Sequence, residues 1–156
     1  MPRQRLARRI NVAVAWWALA VAAVDLVSKW WAREHLTTPR HVAGPLWLRL
    51  TYNSGISFSL DHSNPAVTTA ITLGAVLVVA LIGLRASPGL PTAGFGLLLG
   101  GGISNEVDRL SRTPHRVTDF IAAGSFPVFN LADVAVTLGS IVLLVSLLRS
   151  APVVQR

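Results

Sequence analysis

Four long runs of apolar residues, each close to the length of a bilayer-spanning helix, dominate this sequence. They cover residues 10–31, 66–84, 90–108 and 128–148, and the third run is rich in glycine. A helix needs about 20 residues to cross roughly 30 Å of hydrocarbon. Only 13% of the residues are charged, whereas a soluble domain carries about 25%. The sequence therefore predicts an all-α membrane protein, in which residues 1–156 form one integral membrane domain, a four-transmembrane-helix bundle.

The start of the chain predicts how the bundle is oriented. Four arginines and no acidic residue precede the first run, and basic residues beside a first span favour the cytoplasm. Four spans then place both termini in the cytoplasm and the segments 32–65 and 104–127 outside. A cleavable signal peptide also begins in this way, but here the apolar run continues past Ala23.

The first extracytoplasmic segment contains a stretch typical of a β-strand. Residues 46–52 largely alternate between apolar and polar or amphipathic side chains, which is the period of a half-buried strand. Asn53, Ser54 and Gly55 follow with the composition of a turn. We therefore expect a small extracytoplasmic β element on the outer membrane surface. Beyond it, Asn64 and Pro65 are typical of the start of a helix, here the second span.

Polar residues also occur near the outer ends of the first and third spans. Asp25 and Lys29 are four residues apart on one helix face, and they predict either a self-neutralised ion pair or a functional role. Asn105, Asp108 and Arg109 cluster where the third span should leave the hydrocarbon. Asp108 and Arg109 could equally be solvated residues of the interface.

Two aspartates, Asp119 and Asp133, are predicted at the outer edge of the bundle. Asp119 lies in a short apolar stretch, and Asp133 lies about one turn inside the fourth span. If the two carboxyl groups meet in a partly dehydrated place, they share one proton, as in aspartic proteases. Asp133 also fits a helix start that is capped by Asn130. A proton-coupled transporter could use the same aspartates, so the residues alone leave both classes open.

Other catalytic chemistries lack their motifs in this sequence. It contains no cysteine, no zinc-binding His-Glu-x-x-His, no Gly-x-Ser-x-Gly elbow and no glycine-rich phosphate loop. The four histidines all lie in predicted loops without ligand spacing. We therefore expect no metal ion and no cofactor. The net charge of +7 is predicted to come from the cytoplasmic side, where it suits anionic lipid headgroups better than nucleic acid.

Five short motifs carry a resemblance to a known family. They are DLVSK, NSGISFS, GGISNEVDR, VTDF and FNLAD, and the resemblance runs from about residue 25 to residue 139. In this order, on four spans, they resemble the bacterial lipoprotein signal peptidase (signal peptidase II) family. The resemblance implies an aspartic endopeptidase of the bacterial inner membrane, with its active site at the extracytoplasmic face. Its substrate would be a prolipoprotein whose lipobox Cys carries diacylglycerol, cut just before that Cys.

The resemblance also implies roles for individual residues. Asp119 and Asp133 would form the catalytic pair. The residues expected to line or brace the substrate pocket are Asn53, Asn105, Arg109 and Asn130. The residues expected to support it are Asp25, Lys29 and Asp108. The sequence departs from the family where Ser57 and Ser104 replace a common Ala and a common Gly, and the segment between the aspartates is short, which affects loop geometry rather than the carboxylates.

Two further function classes stay open beside the peptidase. A small proton- or ion-coupled transporter would use Asp25, Asp108 and Asp133 as a relay. A non-catalytic assembly subunit would use the small-residue face made by Gly96 and Gly100, which lets helices approach closely. For the peptidase, the partners are a lipid-modified prolipoprotein and membrane lipid, without nucleic acid, and we expect a monomer.

Overall fold

The computed structural model describes residues 10–53, 65–112, 116–149 and 152–154. This part of the chain contains four helices and three strands. Their bounds are α1 Val12–His35, β1 Arg40–Ala43, β2 Leu46–Asn53, α2 Pro65–Gly83, α3 Leu90–Leu110, β3 Val117–Ala123 and α4 Leu131–Leu148. The described architecture is thus a set of four long helices with one small sheet.

The helices begin where the sequence supplies a cap. The side chain of Asn11 caps α1 by accepting a hydrogen bond from the backbone N–H of Ala13, at 3.2 Å. Pro65 is the first residue of α2, as predicted, because proline lacks the N–H that a first turn cannot use. α4 begins at Leu131 rather than at residue 128, since Asn130 caps it. The four helices therefore lie where the apolar runs are, and their ends differ from the predicted bounds by a few residues.

Three of the helices are long and apolar enough to cross a membrane, namely α1, α2 from Ala66 onward, and α4. α3 has 21 residues but does not reach the same hydropathy among the described helices. The predicted count of four spans is therefore not confirmed by composition. The physical reason lies in the position of α3, which packs against each of the other three helices and so has little surface to offer to lipid.

Glycines let α3 approach α1 closely. A Cβ atom at Gly100 would lie 2.6 Å from Cβ of Val21 and 2.7 Å from the carbonyl oxygen of Ala18, both on α1. Gly96, one turn away, faces Trp17 and Val14 of the same helix. The predicted small-residue face is therefore covered by this chain's own α1, which removes the surface that an assembly subunit would have offered to a partner.

The outward faces of α1, α2 and α4 are apolar. Large hydrophobic side chains there are half exposed or more, for example Trp16 on α1, Leu77 on α2 and Leu144 on α4. Exposed apolar surface on this scale marks contact with lipid or another apolar partner. Together with the length of the helices, it indicates a membrane protein.

The sheet is antiparallel, in the order β1-β2-β3. β2 confirms the strand that was predicted over residues 46–52, and the turn predicted after Asn53 lies outside the described residues. β1 and β3 were not predicted. Residues 117–120 of β3 are all buried, including the polar residues Thr118 and Asp119, so burial does not alternate along this part of the strand. Phe120 of β3 packs against Ala32 and Leu36, which fixes the sheet at the end of α1.

The close packing of α1 on α3 leads to a prediction about stability. Gly100→Ala forces the two helices apart, so it should lower the free energy of unfolding by about 1–3 kcal/mol. Gly74→Ala on the lipid-facing side of α2 is the matched control, because no atom lies within 4 Å of its added Cβ. That variant should keep or slightly raise the melting temperature in detergent. Equal melting temperatures for both variants would contradict the packing described.

Candidate active site

Asn130 and Asp133 fix each other at the start of α4. The side-chain oxygen of Asn130 accepts from the backbone N–H of Asp133 at 3.0 Å, and Oδ2 of Asp133 accepts from the backbone N–H of Asn130 at 3.1 Å. This is the reciprocal capping box that the sequence predicted. The carboxylate of Asp133 is thereby held in the first turn of α4.

The same Asn130 side chain reaches the second aspartate. Its Nδ2 donates to Oδ1 of Asp119 at 2.7 Å. The main chain explains this proximity, because Phe129 runs antiparallel to β3 and forms backbone hydrogen bonds with Phe120 and Ile121 at 2.9–3.0 Å. Asp119 and the cap of α4 are therefore held side by side by backbone pairing, and one asparagine contacts both aspartates.

α3 and α1 complete the surroundings of the pair. Nδ2 of Asn105 donates to Oδ1 of Asp133 at 3.1 Å, and Oδ1 of Asn105 accepts from Nζ of Lys29 at 2.6 Å. Nδ2 of Asn130 also lies 3.2 Å from that Asn105 oxygen. Lys29 is fully buried, and Asn105 links its ammonium group to the carboxylate of Asp133.

Asp25 joins three helices below the pair. It forms an ion pair with Lys29 at 2.6 Å, accepts from the hydroxyl of Ser104 at 2.6 Å, and accepts from the backbone N–H of Ala132 at 2.8 Å. Its carboxylate thus ties α1 to α3 and to the first turn of α4. Ser104 stands where the family commonly has Gly, and its hydroxyl adds the hydrogen bond to Asp25. Ser57, the other departure, lies outside the described residues.

Asp108 anchors β3 one residue before Asp119. Its Oδ2 accepts from the backbone N–H of Thr118 at 2.6 Å, while its Oδ1 accepts from Arg33 at 3.2 Å and from Arg112 at 2.9 Å. Asp108 therefore faces the sheet and α1 rather than the two aspartates. Its bond to the backbone of Thr118 fixes the position of the next residue, Asp119, relative to α3.

Asn53 and Arg109 lie on different sides of the pair. Asn53 ends β2, and its side chain forms a hydrogen bond with that of Asp119. Arg109 turns toward α2 instead, where it pairs with Glu106 and donates to the hydroxyl of Thr72 at 3.3 Å. Among the described residues, Arg109 makes no hydrogen bond to either aspartate, although it was predicted to line the same pocket.

The electrostatics of Asp119 suit proton exchange. It is 2% exposed, and burial is the main reason why its pKa is raised from 3.8 to about 6, with the negative charge of Asp133 as the next cause. Hydrogen bonds from Asn53 and Asn130 and the charge of Lys29 oppose this rise in pKa. A carboxyl group with such a pKa can both give and take a proton near neutral pH, which is what general acid–base catalysis needs.

Three contributors were missed by the sequence analysis as site residues. Thr118 donates its N–H to Asp108, and its carbonyl oxygen lies 3.3 Å from Nδ2 of Asn130. Ser104 was named only as a departure from the family pattern, and Glu106 was not singled out. The one available signal for Glu106 was its spacing, three residues before an arginine on a predicted span. No group of three or more metal-binding side chains occurs within the described ranges.

The raised pKa of Asp119 predicts how stability depends on pH. Because its pKa is about 6 in the fold and 3.8 ordinarily, the native protein binds more protons than the unfolded chain between these values. Stability should therefore fall as pH rises through this window, by on the order of 3 kcal/mol. Asp119→Asn removes this loss, so the variant should gain melting temperature over the wild type at pH 7 but not at pH 4.

The control for this measurement is Glu34→Gln, which changes an exposed carboxyl group on α1. Its difference in melting temperature from the wild type should be the same at both pH values. A difference for Asp119→Asn that also stays constant between pH 4 and pH 7 would show that its pKa is not raised.

Comparison with known proteins identifies relatives of the whole chain. A family model described as "Signal peptidase (SPase) II" matches residues 17–149. The lipoprotein signal peptidase of Chlorobium phaeobacteroides (strain BS1) is 37% identical over 147 residues, which cover 82% of this chain and 91% of that protein. That of Mycobacterium leprae (strain Br4923) is 33% identical over 152 residues, covering 93% of this chain and 73% of that protein.

Solved structures share the fold. Two structures of a bacterial membrane enzyme, determined by the in meso method, superpose with TM-scores of 0.77 and 0.78 at 22% and 23% identity. They cover 90% of this chain, and 90% and 95% of the solved chains. At this identity the likeness bears on the fold alone. The family match, by contrast, implies a protease rather than a transporter or an assembly subunit. The chain therefore belongs to the signal peptidase II family.

Proposed function

We propose that this protein is an aspartic endopeptidase that removes the signal peptide from prolipoproteins. Asp119 and Asp133 would activate the water that cleaves the peptide bond just before a diacylglyceryl-modified lipobox Cys. The observation that carries this proposal is the contact of one asparagine, Asn130, with both aspartates. Family membership and the names of the relatives support the substrate class.

The two aspartates would divide the proton transfers. Asp133 accepts hydrogen bonds from two N–H donors, the backbone of Asn130 and the side chain of Asn105, and needs no proton of its own to make them. We assign it the role of base, which takes a proton from water as the water oxygen attacks the carbonyl carbon. Asp119, with a pKa of about 6, would hold the shared proton and donate a hydrogen bond to the carbonyl oxygen. The carbon–nitrogen bond breaks as the leaving nitrogen takes a proton from the pair.

The surrounding polar residues would keep this pair in place. Asn53, Asn105 and Asn130 orient the carboxyl groups through hydrogen bonds. Asp25 and Lys29 support Asn105 and the first turn of α4 from below. Asp108 holds the start of β3, as described above, and no step of the reaction passes through it. The proposed chemistry uses only side chains of this protein and water.

The depth of the pair would match that of the scissile bond. Asp133 lies in the first turn of α4, about 5 Å from the helix start. A Cys with its acyl chains in the bilayer holds the adjacent peptide bond near the membrane interface. The apolar outer faces of the helices leave room for the signal helix in the surrounding lipid. The lipid on the substrate would thus place the bond at the aspartates.

We also propose that all four helices cross the bacterial inner membrane, with both termini in the cytoplasm. α3 would cross inside the bundle, where the other helices replace lipid around it. This arrangement puts the sheet, Asp119 and the start of α4 on the extracytoplasmic side. We expect the protein to act as a monomer, because the aspartate pair is completed within one chain.

The first test is cleavage of a diacylglyceryl lipobox peptide by the detergent-purified protein. Asp119→Asn and Asp133→Asn should each lower kcat by roughly 10²–10⁴, the usual contribution of a general acid or base. Glu34→Gln, with its exposed carboxyl group, should cleave at the wild-type rate. The unlipidated peptide should be cleaved much more slowly. Wild-type turnover by both aspartate variants would end the aspartic mechanism.

The second test concerns membrane orientation. The chain has no cysteine, so cysteines introduced one at a time can be labelled with an impermeant maleimide in spheroplasts. Ser125→Cys, in the exposed loop between β3 and α4, should be labelled in spheroplasts. Arg85→Cys, in the exposed loop between α2 and α3, should be labelled only after the membrane is permeabilised. The reverse pattern would overturn the proposed orientation, and labelling of both sites in spheroplasts would overturn the four-span count.

A further inference from the structure

An ion pair is buried between α2 and α3, beside the aspartates but without contact with them. Arg109 pairs through Nη1 with Oε1 of Glu106, and the two side chains are 5% and 4% exposed. The same Nη1 lies 3.3 Å from the hydroxyl of Thr72 on α2. The guanidinium group is therefore held on the α2 side of α3.

This ion pair is close to the candidate active site. Arg109 follows Asn105 by four residues, so it lies on nearly the same face of α3, one turn farther along the helix. One turn corresponds to about 5 Å along the axis. Asn105 is the residue of α3 that donates to Asp133. Arg109 therefore lies one helical turn from a residue that contacts the aspartate pair.

Stability does not account for the pair. Within the part of the chain that the structure describes, Nε of Arg109 and Oε2 of Glu106 are buried without a hydrogen-bond partner, and so is Oγ1 of Thr68, one turn before Thr72 on α2. Burying charged groups with unfilled hydrogen-bonding capacity is unfavourable, and two packed apolar residues are often at least as stable as a buried ion pair. The pair also joins residues of one helix, so it connects α3 to α2 only through the long contact with Thr72.

We propose that Glu106 is a positioning residue, which holds the guanidinium of Arg109 ready for the substrate; this inference rests on the function proposed above. Nη2 of Arg109 makes no hydrogen bond to the described part of the chain. A backbone carbonyl oxygen of an extended substrate segment, beside the scissile bond, is the acceptor that such an N–H group would bind. Fixing the arginine in advance reduces the entropy lost on binding.

Variants can distinguish whether Glu106 positions Arg109 or only balances its buried charge. A carboxylate that only balances a charge becomes dispensable once that charge is removed. Glu106→Leu leaves Arg109 buried without an acidic partner, whereas Glu106→Leu combined with Arg109→Leu leaves neither charge. Glu106→Gln keeps an oxygen that accepts from Nη1. The matched control is Val107→Leu, which changes the next residue on the exposed apolar face of α3.

The experiment measures KM, kcat and the melting temperature of these variants with the diacylglyceryl lipobox peptide. Glu106→Leu should raise KM roughly tenfold or more, with a smaller change in kcat, because a charge-assisted hydrogen bond to the substrate is lost. Glu106→Gln should keep KM within about threefold of the wild type. The double variant should recover the wild-type melting temperature yet keep a KM as high as that of Arg109→Leu. Val107→Leu should match the wild type in all three quantities.

Two results would overturn the inference alone. One is a double variant that recovers KM together with the melting temperature, since the pair would then be purely structural. The other is a Glu106→Leu variant that cleaves with the wild-type KM. Absence of cleavage by the wild-type protein under the same conditions would instead overturn the proposed function, and this inference with it.

Discussion

The candidate site depends on the side chain of Asn130. Its oxygen caps α4 and so fixes Asp133, while its nitrogen donates to Asp119 on β3. The start of α4 and strand β3 are thereby joined through one buried amide group. Both its oxygen and its nitrogen form hydrogen bonds. Asparagine suits this place because its amide offers an acceptor and two donors in a fixed plane. A hydrophobic residue there would leave the first turn of α4 uncapped and the two carboxyl groups without a common neighbour.

The ionisable groups of the site are arranged so that most charges are neutralised locally. Asp25 pairs with Lys29, and Asp108 pairs with Arg33 of α1 and with Arg112, which follows α3. Such pairing is expected where the dielectric constant is low, because an isolated charge in such surroundings is strongly unfavourable. Asp119 and Asp133 form no ion pair with the described residues. Under the proposed function, these two carboxyl groups are the ones that would share a proton.

α3 brings these groups together because it lies between the other helices. Its glycines allow α1 to approach, and its C-terminal half presents polar residues on several faces. Ser104 and Asn105 face α1 and α4, Asp108 faces the sheet, and Glu106 faces α2. A helix that is covered by protein can carry this many polar groups, and the same coverage explains why its hydropathy falls below that of its neighbours.

Local periodicity and capping chemistry were enough to predict the membrane class, the places of the helices, the strand over residues 46–52 and the cap made by Asn130 with Asp133. The motifs also pointed to the family that the comparisons show. Three features became visible only in the folded chain: β1 and β3 pair with β2, Asp119 lies beside Asn130, and Arg109 turns to Glu106. Those outcomes depend on contacts between residues far apart in the chain or on which neighbouring helix a side chain meets, and no local pattern specifies either.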